Sequence, residues 1–350
     1  MKKVTLQTIA DRLGVSAALV SKALAGDPAV SDVTKEVIWK TAEEMGYRIK
    51  SSKKAGAAQE AGSVLVLLPS AYLEDLEYWG RVVQGIHNEL TAVNCSMILT
   101  GVDVSLPAEE GLPQSARDQK VEGAILLGHM PASYVQLLKN RGTPLVLIDS
   151  HVNDLSVDHV LANNYAGAYE AGALLLRAGH RRLAFVGDPE SALSFSERRR
   201  GFAQAAEDYN RARDEGEAAA NVAYIGGIGV SGKGDYASES YAASVTACLR
   251  ADEPVTAFFC ANDIIAIDLL GVLGSLDVRC PADVSVCGFD DLPWGEHITP
   301  RLTTVKVPQL ELGKKAVQLL RRRIDSPGAI AEMVLLPTQL IERQSVREYE

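Results

Sequence analysis

From Val64 onward, seven short apolar runs recur along the chain: Val64–Leu68, Met97–Leu99, Ala124–Leu127, Leu145–Ile148, Leu183–Val186, Ala257–Phe259 and Val284–Cys287. Longer amphipathic stretches separate them, among them Arg81–Leu90, Gly167–Ala178 and Ile264–Leu273. An apolar run without alternation suits a strand buried on both faces, and a helix between two such strands makes them parallel. The pattern therefore predicts βαβ units in two blocks, hence two α/β lobes with parallel sheets. At 350 residues the chain has room for this body and one further small unit.

That further unit is at the N-terminus and differs in charge. Residues 1–54 carry ten Lys/Arg against six Asp/Glu, while the remainder carries twenty-five against thirty-nine. A basic head on an acidic body points to phosphate contact by the head alone. In the head, apolar residues at 6, 9, 10 and 13 have helical spacing, with Thr5 as cap and Gly14 as stop. Ser16 is placed to cap a second helix through Leu19, Val20 and Leu24, and a third begins at Ser31. Two short helices around a glycine turn, closed by a third, make a helix-turn-helix. Small residues at Ala17, Ala18 and Ser21 let the second helix enter a major groove, where Lys22 can reach guanine acceptors.

Other classes are excluded by what the chain lacks. No apolar run reaches eighteen residues, so no membrane span is expected. Met1-Lys2-Lys3 is followed by a polar-interrupted stretch rather than a signal-peptide core. Five scattered cysteines without a C-x-x-C pair argue for a cytoplasmic chain with reduced thiols and no metal. The stretch Gly227–Gly234 nearly spells a phosphate-binding loop, but Gly234 stands where the magnesium-holding hydroxyl belongs. It is read as a flexible loop, so neither a cofactor nor an enzyme is expected.

The run Thr8–Gly26, then Val30-Ser31 and Glu44–Arg48, resembles the head of the LacI/GalR (lactose-repressor) family. The resemblance implies that Ser16 and Ser21 bind phosphate, that Ala17, Ala18 and Lys22 read bases, and that Thr5 and Tyr47 belong to the same DNA-binding surface. Lys22 stands where arginine is commoner, which exchanges a bidentate fork for a point charge. Leu19 replaces a usual threonine and removes one phosphate hydroxyl. Residues 49–63 form the linker, where the family has a hinge helix that drives a leucine into the minor groove. Family spacing puts Gly56 at that position, and the stretch after Ile49 holds no Leu, Ile, Phe or Met. The wedge is therefore not expected, while Lys50, Lys53 and Lys54 can track phosphate.

In open parallel sheets, ligands sit beyond the carboxyl ends of the strands. Those ends are polar here: Ser70, Asp149, Gly187-Asp188, Asn262-Asp263 and Asp290-Asp291. One of Asp188 and Asp263 is expected to be a helix cap, and Gly179-His180 a structural turn. The family resemblance extends over the body through Pro144–Asp149, Asn163–Gly167, Gly179–Gly187, Arg198–Phe202, Phe259–Asp263, Pro281–Asp291 and Pro300–Thr304. It implies a periplasmic-binding-protein-like fold with three crossings between lobes. It also implies that Asp149, Arg198, Asn262 and Asp290 hold the hydroxyls of an effector, with Ser70 at the first strand end and Tyr78, Trp79 and Tyr236 as flanking aromatics. Carboxylates accept from hydroxyls and a guanidinium donates in a fixed fork, which suits a polyol.

The expected organisation is a helix-turn-helix domain over 1–48, a linker over 49–63 and an effector-binding domain over 64–343. Its first lobe spans about 64–162 and 293–322, and its second about 163–290 and 325–343. The expected activity is that of a homodimeric repressor binding double-stranded operator DNA under the control of a small molecule, a sugar ahead of a nucleobase or a protein co-regulator.

Overall fold

The computed structural model describes residues 5–24, 27, 30–45, 47, 62–74, 77–112, 117, 121–150, 156–226 and 239–349. Two compact units meet at Glu60 and Ala61 in the chain. The first contains α1 (Leu6–Leu13), α2 (Ala17–Leu24) and α3 (Asp32–Glu44). Thr5 caps α1 reciprocally: its hydroxyl accepts from Thr8 N–H while Thr8 Oγ1 accepts from Thr5 N–H. Gly14 ends the helix at φ +65°, a left-handed conformation that glycine adopts without strain. Ile9, Ala10, Val20, Ala23, Ile38 and Ala42 close a small core among the three helices.

The second unit opens with β1 (Ser63–Pro69), α4 (Trp79–Ala92), β2 (Ser96–Val102), β3 (Gly123–Leu127), α5 (Ala132–Asn140), β4 (Leu145–Ile148) and β5 (Asp158–Ala162). It continues through α6 (Asn164–Arg177), β6 (Arg182–Val186), α7 (Leu193–Ala212), β7 (Asn221–Ile225), α8 (Glu239–Leu249), β8 (Ala257–Cys260), α9 (Asp263–Ser275) and β9 (Ser285–Cys287). Then follow β10 (Thr304–Lys306), α10 (Gln309–Asp325), β11 (Met333–Leu336) and β12 (Gln339–Ile341). Two sheets have the orders β11-β5-β4-β3-β1-β2 and β7-β6-β8-β9, all neighbours parallel, and β10 pairs with β12 antiparallel.

The first sheet is buried on both faces, as its unbroken apolar runs require. Val64, Val66, Leu68, Ile125, Val146 and Ile148 face one core, and Leu65, Leu67, Ala124, Leu126, Leu145 and Leu147 the other. Helices α4 and α10 cover the first of these faces and cross closely at Gly85 and Gly313. A Cβ on Gly85 would collide with the Leu310 carbonyl, and one on Gly313 with that of Val82. His180 is fully buried behind the second sheet, between the Thr256 and Ser285 hydroxyls at 2.9 Å each. Burial pulls its pKa down to about 4, so the imidazole is neutral and structural.

Two segments lie in the lobe opposite to that expected. Thr304–Lys306 belongs to the second lobe, because Thr303 and Lys306 bridge in parallel to Cys287 and Asp290. Met333–Leu336 belongs to the first, as the parallel partner of β5. Residues 325–343 are thus divided, and the chain crosses between lobes near 163, 307 and 337. The cause of the last shift is Asp158, a fully buried carboxylate at the start of β5. It accepts from Glu332 N–H at 2.7 Å, from Arg323 at 2.9 and 3.0 Å and from Arg322 at 3.3 Å. Against the upward push of burial, these bonds hold its pKa below the ordinary carboxylate value. Asp158→Ala should lower stability by about 3 kcal/mol, the low end for breaking a buried ion pair. A fall in the urea midpoint relative to the parent checks this; an unchanged midpoint refutes the clamp.

Candidate functional site

The head presents one exposed face of α2. Val20, Ala23 and Leu24 turn inward, while Ala18, Ser21 and Lys22 share the opposite face at i, i+3 and i+4 and are exposed. Ala17 and Tyr47 are half-buried. Ser16 Oγ accepts from Leu19 N–H at 3.2 Å, which caps α2 and leaves the hydroxyl proton free to donate. The helix therefore starts with spare donors next to small side chains, the arrangement a phosphate and a groove require. Residues 48–61, with Gly56, Lys50, Lys53 and Lys54, lie outside the described residues.

In the body, Tyr78, Trp79, Asp149, Arg198, Asn262 and Asp290 come together at one cleft between the lobes. It holds about 280 Å³ of space, part of it open to solvent. Ser194 and Phe195 complete its wall. Neither was picked out from the sequence, although both lie one helical turn before Arg198 on α7 and so share its face. Ser70 does not line the cleft. The chain turns into a 3₁₀ segment (Ser70–Glu74) at that residue, and its hydroxyl lies against Gly101 of β2. Tyr236 and the near phosphate loop at 227–234 lie outside the described residues.

Arg198 is 2% exposed and organises the second lobe's side of the cleft. Its Nε donates to Asn164 Oδ1 at 3.0 Å, one terminal nitrogen to the Ala261 carbonyl at 2.6 Å, and the other meets Asp290 Oδ1 at 2.9 Å. The guanidinium lies 3.8 Å over the Phe289 ring. Asn164 in turn donates to the Ala162 carbonyl and to Glu197. Asn262 spends its oxygen capping α9, accepting from Ile265 N–H at 2.9 Å. Neither Asp188 nor Asp263 is a cap. Asp188 accepts from Glu190 N–H in a local turn, and Asp263 accepts from Leu292 N–H and the Thr304 hydroxyl. Burial and then the nearby Asp290 push the Asp263 pKa well above the carboxylate range, consistent with a structural tie.

Across the cleft, Asp149 ends β4 at φ +49°. Its Oδ1 is buried and has no hydrogen-bond partner among the described residues. Burial raises its pKa, opposed by the charge of Arg198 and the hydroxyl of Ser194. Trp79 stacks flat on Tyr72 at 5.1 Å and meets Tyr78 edge-on. Among the described residues, no group of three or more His, Cys, Asp or Glu could hold a metal ion. None of the described helices is long and apolar enough to cross a membrane.

Residues 5–49 match the family described as bacterial regulatory proteins, lacI family, and residues 173–346 match a periplasmic binding protein-like domain. The chain belongs to the LacI family. Its relatives span its length. The probable HTH-type transcriptional repressor ExuR of Bacillus subtilis (strain 168) is 27% identical over 98% of each chain. The HTH-type transcriptional repressor PurR of Proteus mirabilis (strain HI4320) is 25% identical over 98% of this chain and 97% of its own. A solved complex of the transcriptional regulator CelR with cellobiose is 27% identical, covers 98% of this chain and 100% of its own, and superposes with a TM-score of 0.69. This LacI-family chain is a DNA-binding transcriptional repressor with a two-lobed, periplasmic-binding-protein-like body.

Truncating Arg198 strands Asp290 and opens the wall that faces Asp149. Arg198→Ala should weaken effector binding at least about 30-fold while operator binding by the head persists. Calorimetry for the effector and a gel shift for the operator check this; full-strength effector binding by the variant refutes the placement.

Proposed function

We propose that this repressor is controlled by a small sugar held between its lobes, and that it governs genes of carbohydrate use. The observation that carries the reading is a buried oxygen of Asp149, without a partner among the described residues, facing an already compensated Arg198–Asp290 pair. Such a wall offers acceptors and fixed donors, which a ligand with several hydroxyls satisfies at once. Trp79 supplies an apolar face for a sugar ring. Binding of cellobiose by CelR accords with a sugar, and a purine base is the competing ligand because aromatic side chains, Tyr78, Trp79 and Phe195, also line the cleft.

The working form is a cytoplasmic homodimer, since one helix-turn-helix reads only a half-site. Asp149 comes from the first lobe, and Arg198 and Asp290 from the second, so a ligand touching both favours one lobe angle over another. Such a difference in affinity between two states is what shifts a regulator. With Gly56 in place of a wedge, the operator is bent little and the linker lysines contribute through salt-dependent phosphate contact.

Two measurements test the reading. A thermal-shift screen against monosaccharides, disaccharides and nucleobases should raise the melting temperature with a sugar. A rise with a purine base alone overturns it. On the DNA side, Lys22→Ala should cost about 1–3 kcal/mol of operator binding without changing the oligomeric state. Equal affinities of variant and parent, on an operator selected from random DNA and at one fixed salt concentration, contradict the role of Lys22.

A further inference from the structure

The charges around the cleft do not balance. Among the described residues that line it, Arg198 is the one base, and its three nitrogens are already committed to Asn164, Ala261 and Asp290. Asp290 therefore neutralises Arg198 within the wall. Asp149 adds a second carboxylate that shares the field of the same Arg198, one oxygen buried and without a donor among the described residues. Glu197 stands behind Asn164 as a third, half-buried, and its pKa is raised by burial and further by Asp149. Among the described residues that line the cleft, two carboxylates stand against one base, and burial leaves these charges weakly screened.

We infer that this cleft selects its effector by charge: it accepts an uncharged sugar and excludes uronates, sugar acids and sugar phosphates. The inference rests on the sugar reading above and narrows it. A neutral hydroxyl donates to the open oxygen of Asp149, and the charge of Arg198 is already balanced by Asp290, so the pair can donate to a neutral ligand but carries no surplus positive charge to draw an anion. A ligand carboxylate or phosphate would have to sit against Asp149 with no uncompensated guanidinium or ammonium among the described lining residues to meet it. Like charges held that close in a desolvated site oppose binding strongly.

The experiment is calorimetry on the full-length protein with matched probes: D-glucose, D-galactose and D-ribose against D-glucuronate, D-galacturonate and ribose 5-phosphate, with hypoxanthine and guanine as a separate arm. The neutral member of at least one pair should bind, with its anionic counterpart at least about 30-fold weaker. In Asp149→Asn that gap should narrow at least about threefold, and asparagine keeps the fold because it tolerates the left-handed backbone at this position. An anion that binds as tightly as its neutral counterpart overturns the charge selection and leaves the sugar reading standing. A gap unchanged in Asp149→Asn overturns the assignment to this carboxylate. Binding of a purine with no sugar of either charge overturns the sugar reading and the selection with it.

Discussion

The cleft between the lobes depends on one buried cation. Taking a guanidinium out of water costs several kcal/mol, which only complete pairing offsets. Arg198 has that pairing: a carboxylate, a backbone carbonyl, a side-chain amide and the face of Phe289. The partners come from two strand ends of the second lobe, Ala261 after β8 and Phe289-Asp290 after β9, and from the first crossing between lobes, Asn164. Asn164 begins α6 directly after the first crossing. Gln309 begins α10 directly after the second and donates to the Asp290 carbonyl at 2.8 Å. The Arg198 cluster is therefore wired to two of the three crossings between the lobes.

The backbone bears the cost of this arrangement. Among the described residues, five that are not glycine have positive φ, and three of them, Asp149, Asp290 and Asp291, stand at the strand ends around the cleft. Left-handed backbone outside glycine costs on the order of 1–3 kcal/mol per residue and persists only where neighbours enforce it. Here the neighbours are identifiable. Asp149 N–H is held by the Val160 carbonyl, Asp290 N–H by that of Val305, and the Asp291 carboxylate by Arg343 at 2.6 Å. At Asp149 and Asp290 this backbone sets the carboxylate into the cleft wall, whereas that of Asp291 is turned to Arg343.

Much of this was legible from residues 64–290, and the reasons for the exceptions are physical. Unbroken runs such as Val64–Leu68 and Leu145–Ile148 announce strands buried on both faces, and the structure has them in parallel pairs. Strand β5 escaped because it opens with Asp158-His159, whose burial is secured by Arg323 and the Val157 carbonyl from outside the strand. Strand β11 escaped because its residues are half exposed at a sheet edge. The lobe boundaries moved for the same kind of reason: Asp158 and the 287–290 ladder are long-range ties that no local pattern encodes. Within the site, charged residues at strand ends stood out, whereas Ser194 and Phe195 required knowing which face of α7 turns inward. Ser70 failed because position at a strand end does not fix direction once the chain turns.

The central claim is that ligand in the cleft and operator on the head act on one equilibrium. Reciprocity tests this directly: measure effector affinity by titration, with the protein free and with it saturated by operator, at one salt concentration. Linkage requires the operator to change effector affinity by the same factor by which the effector changes operator affinity, typically about 5- to 150-fold for coupled sites. Equal effector affinities with and without operator would mean that the cleft does not control the head, and the account would be wrong.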